Sequence, residues 1–258
     1  MNYDTISYDI DNGLAVILLD RPEKMNALNT LMRAELADAV KRAGSEARVL
    51  VLTGAGKAFC SGQDLGDRAN ADNIDLERTL RDEYEPLLRA IVDSPIPTIA
   101  AVNGPAAGAG ANIALAADVV IATQSAYFLQ AFSRIGLIPD AGGTYNLPRS
   151  MGLAKAMGAA LFAEKISADE ASAMGMIWES VPDIDFEGHW QARARHLATG
   201  PTLSYRGIKR AMRASLGNSF DDQIALEAQI QGECGRSRDF KEGVLSFLEK
   251  RSPKFEGR

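Results

Sequence analysis

The strongest constraint on the fold is residues 94–117, a stretch of the sequence without a charged side chain. Such a stretch is buried either in a protein core or in a membrane. Its prolines, asparagines and glycines make it a poor membrane-spanning helix. We therefore predict a buried strand over residues 98–102, a turn, and a helix over residues 106–116 whose small side chains suit close packing against a sheet.

Strand and helix patterns on both sides of this stretch indicate an α/β protein. The turn signal Asp11-Asn12-Gly13 separates two apolar segments and predicts a hairpin. The pattern becomes mostly helical after about residue 145. The other predicted elements are helices at 30–43 (capped by Asn29 or Thr30), 76–92, 203–216 and 239–250, strands at 49–52 and 119–122, a capping box at Ser167 and a helix start at Ser219. We predict one core over residues 1–200 and a helical region over 201–258 that packs on another surface, such as another subunit.

Composition excludes several classes of partner and compartment. The net charge of −6 and the pI near 5.1 argue against a surface that binds nucleic acid or an anionic membrane. The N-terminus lacks the basic and apolar regions of an export signal. The two cysteines, Cys60 and Cys234, have no metal-site spacing. We expect a cytoplasmic protein with reduced thiols and neither a metal nor a separate cofactor.

Two familiar types of catalytic site are also disfavoured. The only histidines, His189 and His196, lie on one predicted helix and look like solvated surface residues, which argues against a histidine-dependent hydrolase. The glycine-rich segments at 54–57 and 104–110 have neither P-loop nor dinucleotide-turn spacing.

Two features allow both a structural and a functional interpretation. The turn over residues 104–110 could expose backbone N–H groups to an anionic ligand oxygen, or it could simply allow a helix to pack closely on a sheet. Asp140 lies between an apolar run and Gly142-Gly143. It could be a base held in an apolar pocket or a helix cap that accepts N–H bonds from Gly142 or Gly143. The local sequence favours the cap.

Three segments together resemble one family. They are KAFCSGQDL at residues 57–65, AVNGPAAGAGAN at 101–112 and GLIPDAGGT at 136–144. Their order and spacing are similar to those of the enoyl-CoA hydratase/isomerase (crotonase) family, and RPEKMNAL at 21–28 and KRSPKF at 250–255 also fit. The resemblance implies an α/β fold, a crotonase-like spiral of ββα units with a C-terminal helical trimerisation region. It also implies a homotrimer or a dimer of trimers.

The same resemblance assigns a catalytic role to three residues. The backbone N–H groups of Gln63 and Ala109 would bind the thioester oxygen of an acyl-CoA. Family hydratases use two glutamates, and this chain has Asn112 and Phe132 at the matching positions. The carboxylate appears instead at Asp140, as in several members that isomerise. The resemblance therefore favours proton transfer by Asp140 over hydration.

Among isomerisations, we prefer conversion of a ring epoxide of phenylacetyl-CoA to its oxepin isomer, as in phenylacetate degradation. Movement of a double bond from position 3 to position 2 of an enoyl-CoA, as in fatty-acid oxidation, is a close second. Enoyl-CoA hydration, dehalogenation of an aryl-CoA and non-catalytic binding of acyl-CoA are less favoured alternatives.

The remaining implied contacts are with the substrate, of which coenzyme A is a part. The acyl pocket would include Gly108, Asn112, Phe132 and Pro139. The polar and mobile residues 62–75 and the helix that follows them would form its wall. The coenzyme A portion would contact Lys24, Ala27, Ala58, Cys60, Gly62, Asp64, Leu65, Lys254 and Phe255. For Lys254 and Phe255, an ordinary basic and partly apolar tail is an equal alternative.

Overall fold

A computed structural model of the protein describes residues 3–67 and 75–258. The predicted wall over residues 62–75 therefore lies in part outside the described residues. Within the described ranges, no helix is long and apolar enough to cross a membrane.

A six-stranded sheet forms the centre of the protein, and its strands are ordered β1-β2-β3-β4-β6-β9. The predicted hairpin is its one antiparallel pair, and all other neighbours are parallel. Parallel strands require crossover connections, and helices supply most of them. The strands of this sheet are β1 (Ile6–Asp11), β2 (Leu14–Leu19), β3 (Val49–Gly54), β4 (Thr98–Val102), β6 (Val119–Thr123) and β9 (Glu179–Val181).

A small second sheet and eleven described helices complete the fold. The second sheet is ordered β5-β7-β8, with β5 (Ala106–Ala107), β7 (Tyr127–Leu129) and β8 (Lys165–Ser167). The helices are α1 (Thr30–Glu46), α2 (Leu76–Thr79), α3 (Glu85–Val92), α4 (Ala109–Ala116), α5 (Gly143–Met151), α6 (Leu153–Phe162), α7 (Ala168–Ala173), α8 (Phe186–Thr199), α9 (Thr202–Ala214), α10 (Phe220–Gly235) and α11 (Arg238–Leu248).

The uncharged stretch supplies the centre of the core, as predicted. Strand β4 is buried throughout its length. Its alternate side chains point to opposite faces of the sheet. Ala100 and Val102 pack with the cluster around α1, α3 and α4, whereas Ile99 and Ala101 pack with the cluster around α8. A strand covered on both faces must be apolar at every position, which explains the absence of charge.

The predicted helix over residues 106–116 is wrong at its start. Ala106 and Ala107 form β5, which pairs with Phe128 and Leu129 of β7, and the helix begins only at Ala109. The backbone of both alanines pairs with β7, and this pairing outweighs the intrinsic preference of alanine for a helix. The strands β7, β8 and β9 were not predicted; each has only three residues, too few for a periodic signal.

The predicted helix over residues 76–92 is interrupted. Residues Leu80–Tyr84 form a π-helical turn between α2 and α3. The wider turn arises where a helix accommodates one extra residue, and such turns are often found at functional sites. The predicted caps at Asn29, Ser167 and Ser219 are confirmed by side-chain hydrogen bonds to the following backbone N–H groups.

Helix α9 of the C-terminal region is fixed to the core by partly buried polar contacts. Lys209 of α9 contacts the Asp118 carboxylate at 2.7 Å and donates to the backbone carbonyls of Ser94 and Ile96 at 2.9 and 2.7 Å. Arg213 also binds Asp118, at 2.7 Å. Ser94 and Ile96 precede β4 and Asp118 precedes β6, so the contacts join α9 to the beginning of two interior strands of the central sheet.

Candidate active site

Two chain segments run side by side and end in a pair of backbone donors. Cys60 and Ala106 form a parallel bridge, in which the Ala107 N–H donates to the Cys60 carbonyl at 2.9 Å. Each segment then continues for three residues, to Gln63 in one and Ala109 in the other. Gly62 has a φ of +100°, and a Cβ on it would lie 2.9 Å from the Ala107 carbonyl oxygen, so only glycine fits this close approach.

Neither N–H group of this pair has a hydrogen-bond partner among residues 3–67 and 75–258. Gln63 bridges Leu28, but the bonds of that bridge use the groups on either side of it, the Gly62 carbonyl and the Asp64 N–H. Ala109 is the first residue of α4, where an N–H has no partner within the helix. The two groups suit an oxygen that bears negative charge, since the helix N-terminus adds partial positive charge.

Asp140 lies in the loop before α5, and it is not the cap that its local sequence favours. The cap residue of α5 is Gly142, without a side-chain hydrogen bond. The Gly143 N–H donates at 2.8 Å to the Asp140 backbone carbonyl rather than to its carboxylate. The carboxylate oxygen Oδ1 is buried without a hydrogen-bond partner in the described part of the chain. The side chain is therefore left available for chemistry.

Burial changes the acidity of this carboxyl group. It raises the pKa of Asp140 from 3.8 to about 6, and the residue's own backbone N–H offsets only part of the shift. Desolvation has this effect because it disfavours the charged form of an acid. A carboxylate with such a pKa is mostly ionised at neutral pH and is a much stronger base than an exposed aspartate.

Asn112 has a structural contact that its sequence position did not reveal. Its Nδ2 donates to the Asp140 backbone carbonyl at 2.8 Å, and its Oδ1 accepts from Gln130 Nε2 at 2.9 Å. Both amide side chains are fully buried, at 0% and 1% exposure. Asn112, expected to line the substrate pocket, therefore fixes the backbone of Asp140. Sequence reasoning missed Gln130, which has no motif around it.

Phe132 and Pro139 bring apolar surface to the same region. Phe132 is buried in a short 3₁₀ helix, Ala131–Ile135, and the tip of its ring lies over Gly108, next to the Ala109 N–H. Pro139 is buried beside Asp140. The surroundings of the base and the donor pair are thus mainly apolar, and this strengthens electrostatic interactions there.

A cleft of about 1140 Å³ opens at Asp140. Apolar residues of the π-helical turn, of α3 and of the loop before α5 line this part of it, among them Leu80, Leu88, Ile138 and Pro139. Two other carboxylates border the cleft, and both are ion-paired: Glu85 with Arg89, and Asp118 with Lys209 and Arg213. Asp140 is the unpaired acid of the described lining. Gln63 and Ala109 do not line the cleft; α4, which begins at Ala109, is linked to it by Asn112, whose amide binds the Asp140 backbone carbonyl.

The residues expected to contact coenzyme A fall into exposed and buried groups. Lys24 and Leu65 are exposed, and Asp64 is ion-paired with Arg21 at 2.9 Å. Ala27, Ala58, Cys60 and Gly62 are buried. The Cys60 thiol is enclosed, and burial raises its pKa to about 12, so it is inert at neutral pH. These residues lie in two segments, one before α1 and one on both sides of Gln63, which the Leu28 N–H joins by donating to the Gly62 carbonyl at 2.8 Å. Their contact with coenzyme A stays a prediction.

Lys254 and Phe255 are separate from this region in the single chain. The Lys254 N–H donates to Glu242 of α11 at 2.8 Å, and the Phe255 carbonyl accepts from Arg48 at 3.1 Å. Asp239 holds the next two backbone N–H groups, at 2.7 and 2.8 Å. The tail is thus bound to its own helix and core, and a role for it at a coenzyme A site stays a prediction. Within the described ranges, no group of three or more histidine, cysteine, aspartate or glutamate side chains could hold a metal ion.

Comparison with known proteins identifies the family of this chain. The sequence profile of the family "Enoyl-CoA hydratase/isomerase" matches residues 9–258. A "Probable enoyl-CoA hydratase" of Rhodobacter capsulatus is 65% identical over 258 residues, which cover 100% of both chains. The "1,2-epoxyphenylacetyl-CoA isomerase" of Escherichia coli is 47% identical over 255 residues, which cover 96% of this chain and 97% of the relative.

A solved structure shows the same fold. The crystal structure of a putative enoyl-CoA hydratase/isomerase from Mycobacterium abscessus superimposes with a TM-score of 0.93 at 37% identity, over 98% of this chain and 100% of that one. The α/β crotonase-like fold that the motifs implied is therefore confirmed. The chain belongs to the enoyl-CoA hydratase/isomerase family of enzymes.

Proposed function

We propose that this protein is an acyl-CoA isomerase in which Asp140 moves one proton between two carbons of the substrate. The observation that carries the proposal is the Asp140 carboxylate, which is half-buried, has a buried Oδ1 without a partner, and is the unpaired acid of the described cleft lining. The preferred substrate is the 1,2-epoxide of phenylacetyl-CoA, and the product is its oxepin isomer. The 47% identity to an enzyme named for that reaction supports this choice.

The first step would be removal of the proton on the carbon next to the thioester. Asp140 takes the proton, and the electrons of the broken C–H bond form an enolate whose charge rests on the thioester oxygen. The N–H groups of Gln63 and Ala109 stabilise that oxygen, and such a pair is most effective where charge develops in the transition state.

In the second step, Asp140 would return its proton to a ring carbon. The C–C bond shared by the epoxide and the six-membered ring opens, and the oxygen keeps both of its bonds in the new seven-membered ring. No atom is gained or lost. The apolar surroundings at Phe132 and Pro139 would keep water away from the enolate, which one carboxylate can then reprotonate.

Hydration is the alternative suggested by the name of the 65% identical relative. It requires a positioned water, a base and a separate proton donor for the substrate. Asn112 is already bonded to Asp140 and Gln130, and the Phe132 ring carries no ionisable group. The local geometry therefore favours isomerisation. Dehalogenation with histidine help is disfavoured, since neither histidine borders the cleft.

A substrate panel tests the proposal. Purified protein is offered the ring epoxide, a 3-enoyl-CoA and a 2-enoyl-CoA, and the products are separated by liquid chromatography with mass detection. We expect rapid isomerisation of the epoxide, slower or comparable isomerisation of the 3-enoyl-CoA, and little hydration of the 2-enoyl-CoA. Rapid hydration with no isomerisation would overturn the proposal in favour of a hydratase.

The pH dependence of isomerisation is a second expected result. Asp140 must be ionised to accept a proton, and its pKa is about 6. We expect kcat/KM to increase as the pH rises through 6 and to level off above pH 7. At pH 5 only about one-tenth of the carboxyl groups would be ionised, so kcat/KM should be about one-tenth of its plateau. A rate that stays constant down to pH 4 would contradict burial of the base.

A further inference from the structure

Tyr84 has a buried hydroxyl that the reaction described so far does not use. Its side chain is 1% exposed, and its Oη has no hydrogen-bond partner among the described residues. A buried polar group without a partner carries a free-energy cost and calls for an explanation. Asp140 Oδ1 is likewise buried without a hydrogen-bond partner among the described residues. Both residues border the same cleft, so the same ligand could satisfy both.

The surrounding structure holds Tyr84 firmly. It is the last residue of the π-helical turn between α2 and α3. The Arg33 guanidinium lies 5.0 Å from its ring centroid, in cation–π geometry. Arg33 is itself almost fully buried and pairs with Glu83, the neighbour of Tyr84. A side chain fixed in this way without a hydrogen bond to its hydroxyl is suited to receive a ligand atom at that hydroxyl.

Arg33 also connects Tyr84 to the backbone donor at Gln63. Its Nη1 donates to the Leu28 carbonyl at 2.7 Å, and that carbonyl also accepts the Asp64 N–H at 3.0 Å. Leu28 is the bridge partner of Gln63. Tyr84 and one donor of the thioester oxygen are therefore tied to one rigid framework, as a site that positions a substrate requires.

The phenol can act only as a hydrogen-bond donor or neutral acceptor in this position. Burial raises the pKa of Tyr84 far above its ordinary value; the Arg33 guanidinium opposes this shift only in part, and the charge of Asp140 adds to it. The hydroxyl therefore keeps its proton at all working pH values. A neutral hydroxyl in this position can donate a hydrogen bond to a ligand oxygen near the carbon that Asp140 deprotonates.

We infer that Tyr84 is a specificity-determining residue whose hydroxyl donates a hydrogen bond to an oxygen on the β-carbon of the acyl group. This inference rests on the proposed function, because in the ring epoxide the oxygen is attached to that carbon. The bond would hold the epoxide so that the proton on the adjacent carbon faces Asp140. A 3-enoyl-CoA has no oxygen at that carbon and would gain nothing from the hydroxyl.

The test is Tyr84→Phe, assayed with both substrates. We expect kcat/KM for the ring epoxide to fall about 10- to 100-fold, the usual effect of losing one hydrogen bond in a desolvated site. For the 3-enoyl-CoA, kcat/KM and its pH profile should stay unchanged. Tyr8→Phe is a matched control, since that hydroxyl bonds Glu46 on another face of the protein. Thermal unfolding should show no loss of stability in Tyr84→Phe, because its hydroxyl has no partner to lose.

Each of the other possible outcomes shows whether the proposed function or the role of Tyr84 is wrong. If native protein does not convert the ring epoxide, the proposed function is wrong. If it does and Tyr84→Phe converts the epoxide equally well, only the present inference is wrong. Equal losses with both substrates, with a shifted pH profile, would show that the hydroxyl acts on Asp140 rather than on the substrate. A lower unfolding temperature for Tyr84→Phe would show a structural partner and would also overturn the inference.

Discussion

Asp140→Asn is expected to lower kcat for isomerisation by about 10²- to 10⁴-fold, the range in which a positioned acid–base group contributes. The substituted amide has nearly the same shape, but it cannot accept the proton from the substrate. Because the second step returns that same proton, the one substitution removes the catalyst of both steps. The measurement is single-turnover conversion of the ring epoxide and of a 3-enoyl-CoA.

The fold should survive this substitution. The pKa of the Asp140 carboxyl is raised on folding, so the native state binds more protons than the unfolded state between about pH 3.8 and pH 6. The ionised carboxylate therefore lowers native stability as the pH rises through this interval. Asparagine carries no charge, so Asp140→Asn should be at least as stable as the native protein at pH 7, and its advantage should vanish in acid.

The matched control is Glu85→Gln, which neutralises another carboxylate at the border of the cleft. Glu85 is exposed and ion-paired with Arg89 at 3.5 Å, so its removal should change little. If Asp140→Asn retains near-native isomerisation while folded, then Asp140 is not the base. If Glu85→Gln is the damaging variant, the base has been assigned to the wrong carboxylate.

Ala109→Pro is expected to lower kcat by about 100- to 1,000-fold, the usual effect of losing one donor to a developing oxyanion. Ordinary side-chain substitution cannot test a backbone N–H, but proline removes it. Ala109 is the first residue of α4, the helical position that tolerates proline best, since the N–H there has no partner within the helix. Only the contact with the thioester oxygen should be lost.

Ala109→Gly is the control for this variant. It retains the N–H and removes the methyl group, so its kcat should stay close to native. Binding of a non-reactive acyl-CoA thioether to both variants, measured by calorimetry, separates loss of catalysis from obstruction by the proline ring. Native kcat in folded Ala109→Pro would show that this N–H does not stabilise the enolate. Equal damage in Ala109→Gly would assign importance to the methyl group instead.

Much of the fold was determined by the local sequence. The uncharged stretch predicted a buried strand, and β4 is buried throughout its length. The caps at Asn29 and Ser167 also depend on contacts within a few residues. Prediction from the sequence was wrong at β5, where pairing with β7 outweighs the local preference for a helix. It also missed the π-helical turn before Glu85, which leaves no signal in the sequence.

The candidate site, like the fold, could be predicted from the sequence only in part. The motifs, through their resemblance to one family, indicated the carboxylate and the two backbone donors by position. Only the tertiary structure decided that Asp140 is a candidate base rather than a cap, because that depends on where the Gly143 N–H points and on what buries Oδ1. It also gave Asn112 its role, through a contact made 28 residues away. Hydrogen-bond partners that are distant in sequence follow from packing, and the local sequence does not encode them.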